Sequence, residues 1–183
     1  MTGKLTELAF YPTLFYNLVR NKLSNQWQWY NRIDDNVILG ALPFKTMIDS
    51  LVTDENVGGV VCLNQPHETD HSWVANQQDW ESTGIKYYWL PVPDFTYAPT
   101  HVDVGHAVGF INEVAQRGKS VYVHCKAGRT RSATIVACYL MRKHGWHANV
   151  AVDFLIRKRP QVILRYAHWQ TLENFRREME NSS

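Results

Sequence analysis

The chain has 183 residues, of which 45% are hydrophobic and 20% are charged, and its formal net charge is +2. This length and mixed composition suit one globular domain with its own core, and they exclude a disordered chain. The sequence has no run near the ~20 apolar residues of a membrane-spanning helix, and its three cysteines are too few for a disulfide framework or a structural zinc site.

Residues 1–25 form an apolar N-terminal segment ahead of the main body of the chain. Residues 8–19 are rich in aromatic and aliphatic side chains, and lysine and arginine flank them. Such a segment can pack on the domain, lie flat on a membrane or act as a targeting signal. Glu7 and Pro12 argue against a transit peptide, because such peptides are poor in acids and helical.

Downstream of this segment, strand-like and helix-like stretches alternate. Short apolar or β-branched runs predict strands at residues 37–40, 57–63, 85–90 and 120–123. Amphipathic spacing and capping residues predict helices at 43–52 and 73–82, after Thr100, and at 131–144, 148–159 and 166–179. This alternation predicts one α/β domain, over residues 26–180, with a mostly parallel central sheet flanked by helices.

One nine-residue stretch dominates the functional interpretation. It reads His124-Cys125-Lys126-Ala127-Gly128-Arg129-Thr130-Arg131-Ser132 and joins the last predicted strand to a helix. The backbone N–H groups of such a loop and the positive end of the helix dipole can bind a tetrahedral anion. The same field favours the thiolate form of Cys125. The stretch therefore predicts a phosphate-binding loop that carries a cysteine nucleophile.

The residue types of this loop suggest a role for each position. Cys125 can attack phosphorus to form a thiophosphate intermediate, and the planar fork of Arg131 can bind two phosphate oxygens. Gly128 allows a backbone angle that a side chain would forbid. Lys126 and Arg129 add cations at the rim of the loop. The loop residues expected to bind substrate are Lys126, Ala127, Gly128, Arg129 and Thr130.

The stretch resembles the His-Cys-X5-Arg-Ser/Thr signature of the protein tyrosine phosphatase superfamily. The resemblance implies that His124 orients the loop and lowers the pKa of Cys125, and that Ser132 helps the thiolate to leave during hydrolysis. It also implies an aspartate general acid on an upstream loop. Asp94 fits, because it follows a predicted strand and two prolines. Asp103 is explained by helix capping with Thr100.

Segments along most of the chain resemble the mitochondrial phosphatidylglycerophosphate phosphatase branch of the dual-specificity phosphatases. The similar segments are residues 10–14, 29–34, 37–43, 54–57, 122–129 and 169–170. The resemblance implies removal of the terminal phosphate of phosphatidylglycerophosphate at the matrix face of the inner mitochondrial membrane, a step toward cardiolipin, without a metal or other cofactor. The branch carries Glu-Glu-Tyr-Glu or Glu-Pro-Tyr-Glu where this chain has Gln65-Pro66-His67-Glu68, so only Glu68 is carried over as a substrate contact.

The distribution of charge favours an acidic substrate. From His124 onward the chain has eleven Lys and Arg against four Asp and Glu. The consecutive cations at 157–159 are explained by the dipole at a helix C-terminus. We expect a phosphorylated lipid substrate at an anionic membrane surface, no nucleic-acid partner and a monomeric protein.

Alternative functions stay open at this point. The same machinery serves a protein dual-specificity phosphatase that acts on phosphotyrosine, phosphoserine and phosphothreonine in a reducing cytosol, or a phosphoinositide phosphatase. A third alternative is a binding module that holds phosphate without turnover. The presence of Cys125, Arg131 and Asp94 together argues against that third alternative.

Overall fold

A five-stranded sheet forms the centre of the computed structural model, which describes residues 10–24, 27–95 and 97–181. The strands are β1 (Tyr30–Arg32), β2 (Val37–Gly40), β3 (Val57–Cys62), β4 (Lys86–Trp89) and β5 (Ser120–His124). Their order is β1-β2-β5-β3-β4, and all neighbours are parallel except β1 and β2. The predicted α/β domain with a mostly parallel sheet is confirmed. The short antiparallel edge strand β1 was not predicted.

Helices cover both faces of this sheet. They are α1 (Phe10–Leu23), α2 (Ile48–Thr53), α3 (Pro66–Thr69), α4 (Gln77–Ser82), α5 (His101–Ala115), α6 (Arg131–His144), α7 (Ala148–Lys158) and α8 (Tyr166–Asn181). The predicted helix at 73–82 begins later than expected. Asn76 caps it through the backbone N–H of Asp79, and Val74 instead forms a β-bridge with Phe44.

The main core lies between the sheet and helices α5 to α8. Every residue of β5 is buried, and so are the first eleven residues of α6, 131–141. A strand buried on both faces explains why β5 reads as an apolar run without alternation. Full burial of one Val or Leu side chain stabilises a fold by about 1.5–3 kcal/mol, so this layer fixes the loop between β5 and α6.

Three loops meet at one edge of the sheet. Strands β3, β4 and β5 are parallel, so the segments that follow them, 63–68, 90–95 and 125–130, leave the sheet on the same side. Ligands of open α/β sheets bind outside the carboxyl ends of the strands. The fold therefore brings the cysteine loop, the segment that carries Glu68 and the segment that carries Asp94 together.

Helix α1 packs on the domain. Phe10 and Leu14 are buried in a small cluster with Leu42 and Val74. Its other side is open to solvent, and Phe15 is 68% exposed. Of the predicted segment 1–25, residues 1–9 and 25 lie outside the described residues. Over the described ranges, each helix is too short or too polar to cross a membrane.

Candidate active site

The predicted nucleophile, Cys125, lies at the base of a loop that begins where β5 ends. Cys125 is 3% exposed, and the Ser132 hydroxyl donates a hydrogen bond to its Sγ across 3.2 Å. Burial alone would raise the pKa of Cys125, but the charge of Arg131 and hydrogen bonds from Ser132 outweigh it and lower the pKa. The site therefore favours the thiolate that nucleophilic attack requires.

Gly128 adopts the left-handed backbone conformation that the sequence suggested. Its φ is +62°, and a Cβ there would lie 2.3 Å from the backbone oxygen of Gly40. That separation is far below van der Waals contact. The loop can therefore pack against β2 only with glycine at this position.

Arg159 holds the outer side of the loop. It is fully buried, and its guanidinium donates to the backbone oxygens of Gly128 at 2.7 Å and Ala127 at 3.2 Å. Three further hydrogen bonds reach the backbone oxygens of Gln28 and Trp29 and the Asn31 side chain. Since the C=O and N–H of a peptide plane point in opposite directions, carbonyls turned toward Arg159 leave the loop N–H groups facing the anion site.

This role of Arg159 differs from the one that we predicted from the sequence. It is the last of three cations that we assigned to the dipole of α7, but the helix ends at Lys158 and Arg159 turns into the protein. Burial lowers the pKa of Arg159 to about 10, and all five of its hydrogen bonds go to uncharged acceptors. Its position directly before Pro160, where the helix must stop, is the one available signal.

Arg131 is fixed by a carboxylate from a different loop. Glu68 accepts two hydrogen bonds from its guanidinium, at 2.8 Å to Nη1 and 2.9 Å to Nη2, and both side chains are 2% exposed. Nη1 also donates to the backbone oxygens of Leu63 and Val92. Such a bidentate pair fixes the plane of the guanidinium. The expected substrate contact, Glu68, thus lies against Arg131.

Asp94 lies opposite the cysteine loop. Its Oδ2 is 2.5 Å from Lys126 Nζ, and its Oδ1 is 3.4 Å from Arg131 Nη2. Burial alone would raise the pKa of Asp94, but these two cations outweigh it and hold the pKa below its usual value. The rival acid, Asp103, caps α5 with Thr100 as expected.

Two loop residues differ from their expected electrostatics. Burial and the charge of Arg131 lower the pKa of His124 to about 3, so its imidazole is neutral at physiological pH. It therefore has no charge with which to lower the pKa of Cys125. Lys126 was expected at the rim but is 4% exposed, because its ammonium pairs with Asp94 and lies 4.8 Å from the centre of the Phe95 ring.

A cavity of about 160 Å³ opens above Cys125. Besides loop residues and Asp94, its lining includes residues that the sequence did not connect with the site, namely Thr13, Tyr16, Asn17, Ile163, Arg165 and His168. They come from α1, from α8 and from the segment between α7 and α8. No periodicity or motif in the sequence links these segments to the cysteine loop, because tertiary contacts bring them together, namely the packing of α1 on the domain and a hydrogen bond of 3.0 Å from the Ile163 N–H to the Arg129 backbone oxygen.

The remaining cysteines differ from Cys125 in their surroundings. Cys62 and Cys138 are both free and buried. Burial raises the pKa of Cys62 to about 11 and raises the pKa of Cys138 well above its usual value. Among the described residues there is also no group of three or more His, Cys, Asp and Glu side chains arranged to hold a metal ion.

Comparison with known families identifies this arrangement. The model for the dual specificity phosphatase catalytic domain matches residues 53–178, which is more than half of the chain. The chain belongs to the dual specificity phosphatase family. The protein is therefore a phosphatase, and the cysteine loop lies within the part of the chain that the family model matches. The model begins after α1, so the family match does not include the helix that lines one side of the cavity.

Relatives align with nearly the whole chain. Phosphatidylglycerophosphatase and protein-tyrosine phosphatase 1 of Homo sapiens is 39% identical over 178 residues, covering 96% of this chain and 88% of the relative. Phosphatidylglycerophosphate phosphatase PTPMT2 of Arabidopsis thaliana is 39% identical over 177 residues, covering 97% and 75%. The crystal structure of PTPMT1 in complex with PI(5)P has a TM-score of 0.82 and 37% identity, covering 85% of this chain and 99% of that one.

Proposed function

We propose that this dual specificity phosphatase hydrolyses the terminal phosphomonoester of phosphatidylglycerophosphate to give phosphatidylglycerol. The substrate assignment rests on the similarity to relatives that are named as phosphatidylglycerophosphate phosphatases. Their identity to this chain is 38–39% over at least 96% of its length. The geometry of the site supplies the chemistry, since a thiol with a lowered pKa lies beside an arginine that is held in one orientation.

In the first step, Cys125 Sγ attacks phosphorus in line with the ester oxygen. The S–P bond forms and the P–O bond to the glycerol breaks, and Asp94 supplies a proton to the leaving alkoxide. Arg131 and the loop N–H groups stabilise the charge on the equatorial oxygens. Asp94 must hold a proton for this role. The negative charge of the bound phosphate offsets that of Lys126 and Arg131 and so raises the pKa of the Asp94 carboxyl.

In the second step, water attacks phosphorus and releases inorganic phosphate. Asp94, now ionised, accepts a proton from the water, and the S–P bond breaks. The Ser132 hydroxyl, 3.2 Å from Cys125 Sγ, stabilises the departing thiolate by donating its hydrogen bond. The two steps need no cofactor, because side chains and water supply every proton that is transferred and stabilise every charge that develops.

The remaining site residues act by positioning. Glu68 orients the guanidinium of Arg131, in place of a direct contact with substrate. His124 is a neutral imidazole that packs beneath the loop, 5.6 Å from the ring of Tyr122. The substrate's phosphate oxygens are bound by backbone N–H groups of loop residues, which are Lys126, Ala127, Gly128, Arg129 and Thr130.

Two alternative substrates have specific support. The names of the mammalian relatives include protein-tyrosine phosphatase, and the similar crystal structure holds PI(5)P. A phosphotyrosine peptide and a phosphoinositide both offer a phosphomonoester that the loop can accept. They differ from phosphatidylglycerophosphate in the chemical group that carries the phosphate. A measurement of substrate preference therefore distinguishes the three candidate functions.

We propose further that the protein acts at an anionic membrane surface, on the matrix face of the inner mitochondrial membrane. Apolar side chains stand exposed around the cavity, and Tyr16, Tyr97 and Ile163 in its lining are each about half exposed. Phe15 on α1 is 68% exposed and Tyr166 at the start of α8 is 78% exposed. Aromatic and aliphatic groups of this kind enter the interface of a bilayer, which would bring the cavity to a lipid headgroup.

The experiment is a comparison of kcat/KM on three substrates with the purified protein. They are dioctanoyl phosphatidylglycerophosphate, dioctanoyl phosphatidylinositol 5-phosphate and a phosphotyrosine peptide, with Cys125→Ser as the blank. We expect the first substrate to be preferred. A clear preference for the peptide would overturn the lipid assignment, and phosphate release by Cys125→Ser would overturn the nucleophile.

A further inference from the structure

Three arginines near the mouth of the catalytic cavity carry positive charge that no described carboxylate neutralises. Arg129 and Arg165 line the cavity. Arg20, which belongs to α1, contacts the same tryptophan side chain as Arg129. The ion pairs among the described residues include none of the three. Like charges that share a region without counter-ions repel one another, so this arrangement needs a structural cause.

Trp27 supplies part of that cause. The guanidinium of Arg20 lies 4.7 Å from the centre of an indole ring of Trp27, and that of Arg129 lies 5.2 Å from it. Each cation gains from the negative face of the indole. Arg129 is also oriented by a hydrogen bond of 3.0 Å from its Nε to the backbone oxygen of Gln161. Its two Nη nitrogens find no acceptor among the described residues, so both are available to a ligand.

The bottom of the cavity differs from its mouth in charge balance. The cations at the bottom, Lys126 and Arg131, are matched by the carboxylates of Asp94 and Glu68. Uncompensated positive side-chain charge is therefore found at the mouth. A single phosphate bound at Cys125 leaves this charge unused, whereas a ligand with a second anion would neutralise it.

We propose that Arg129 and Arg165, with Arg20 behind them, form a second anion subsite that binds a phosphodiester attached through a short polyol to the scissile phosphate. The inference rests on the proposed function, because a glycerophospholipid headgroup carries both groups. A guanidinium binds two phosphate oxygens at once, which suits a diester monoanion. The cavity has a volume of about 160 Å³. One water needs about 10–15 Å³ of cavity volume measured in this way, so the cavity has room for more than one phosphate group.

The subsite also gives α1 a function. This helix lies outside the family match, yet it contributes Tyr16 to the cavity lining and Arg20 to the charge cluster. A phosphatase domain without such a helix would keep the loop, Arg131 and Asp94 but lose one wall of the subsite. Selection for the diester thus depends on the packing of α1, and hydrolysis of a simple monoester does not.

The test uses two soluble substrates that differ only in the diester. Glycerophosphoglycerol phosphate is the headgroup without acyl chains, and glycerol 3-phosphate has the same leaving group without the diester. We expect the wild type to prefer the first by about tenfold or more in kcat/KM, since a charge-assisted contact of about 1.5–3 kcal/mol corresponds to that range. Arg165→Gln and Arg129→Gln should each reduce this ratio about tenfold. Arg165 is exposed, so its substitution leaves the core intact.

The matched control is Arg117→Gln. Arg117 is an exposed arginine beyond the end of α5, at the edge of the sheet away from the cavity, so the variant should keep the wild-type ratio. Equal rates of the wild type on the two substrates, or an unchanged ratio in both cavity variants, would overturn the subsite. A wild type that hydrolyses the phosphotyrosine peptide but not dioctanoyl phosphatidylglycerophosphate would overturn the proposed function instead.

One further arm identifies the source of the diester. Glycerophosphoinositol 5-phosphate carries the same diester across an inositol ring. Arg165→Gln should lose more kcat/KM on glycerophosphoglycerol phosphate than on glycerophosphoinositol 5-phosphate. That result would support the proposed glycerol linker. A loss confined to the inositol compound would overturn the assignment to phosphatidylglycerophosphate and leave a phosphoinositide as the ligand.

Discussion

Glu68 and Arg131 form a buried bidentate ion pair, with N–O distances of 2.8 and 2.9 Å and both side chains 2% exposed. Glu68 belongs to the short helix α3, whose first turn it also caps by accepting from the Gln65 N–H. The pair therefore connects the segment after β3 to the first residue of α6. The orientation of the phosphate-binding arginine depends on a residue 63 positions earlier in the chain.

Glu68→Gln should reduce both activity and stability. The amide keeps the shape of the side chain but removes the negative charge, which leaves the buried guanidinium with only the more distant carboxylate of Asp94 as a counter-ion. Breaking one partner of a buried pair costs about 3–5 kcal/mol in the free energy of unfolding. We expect kcat/KM on p-nitrophenyl phosphate to fall at least tenfold, measured beside urea unfolding.

The control for this prediction is Glu113→Gln. Glu113 pairs with Lys86 and Arg117 on the surface, so its loss of charge should leave kcat/KM and stability unchanged. If Glu68→Gln retained wild-type activity after correction for the folded fraction, Glu68 would have no part in orienting Arg131.

Asp94→Asn should separate substrates by their leaving groups. Glycerol alkoxide needs a proton and p-nitrophenolate does not, so the loss of kcat should be about 100-fold greater on phosphatidylglycerophosphate than on p-nitrophenyl phosphate. The variant should also lose the decline of kcat at high pH, because kcat reports the enzyme–substrate complex, in which the bound phosphate raises the pKa of Asp94 and the decline follows its deprotonation. Equal losses on the two substrates, with an unchanged pH profile, would exclude Asp94 as general acid.

Arg159→Met should weaken anion binding at a site that Arg159 does not itself enter. The methionine fills part of the space but donates no hydrogen bonds to the oxygens of Ala127 and Gly128. The loop N–H groups then lose their fixed direction. We expect the inhibition constant of tungstate to rise at least tenfold, and Lys158→Met, at the exposed last residue of α7, to leave it unchanged.

A lower melting temperature alone would not support this role, since burial of Arg159 predicts instability in any case. The tungstate constant is therefore measured well below the melting temperature of each variant. Wild-type affinity for tungstate in folded Arg159→Met would limit Arg159 to stabilising the fold.

The sequence predicted the sheet and the cysteine loop because their signals are local. The apolar run of β5, the glycine at 128 and the start of α6 at Arg131 all lie between residues 120 and 131. The order of the strands and the short strand β1 needed the structure. Three residues of β1 show no period that distinguishes them from a loop.

The contacts that complete the site could not be predicted from the sequence, because they join segments that are far apart in the chain. Arg159 and Gly128 are 31 positions apart, and the cavity contains residues of α1 more than 100 positions from Cys125. Residue type alone could not distinguish buried Arg159 from its exposed neighbours Arg157 and Lys158. Lys126 was expected at the rim for a similar reason, since its partner Asp94 lies on another loop.

We expect phosphatidylglycerophosphate to transfer its terminal phosphoryl group to Cys125, and the most direct measurement is to trap that intermediate. Ser132→Ala should slow the second step more than the first, because it removes the hydrogen bond to the departing sulfur. The variant would be mixed with dioctanoyl phosphatidylglycerophosphate, quenched within milliseconds and digested for mass spectrometry. We predict one added phosphoryl group on the peptide that contains Cys125. An unmodified Cys125 peptide while phosphate is being released would contradict the account.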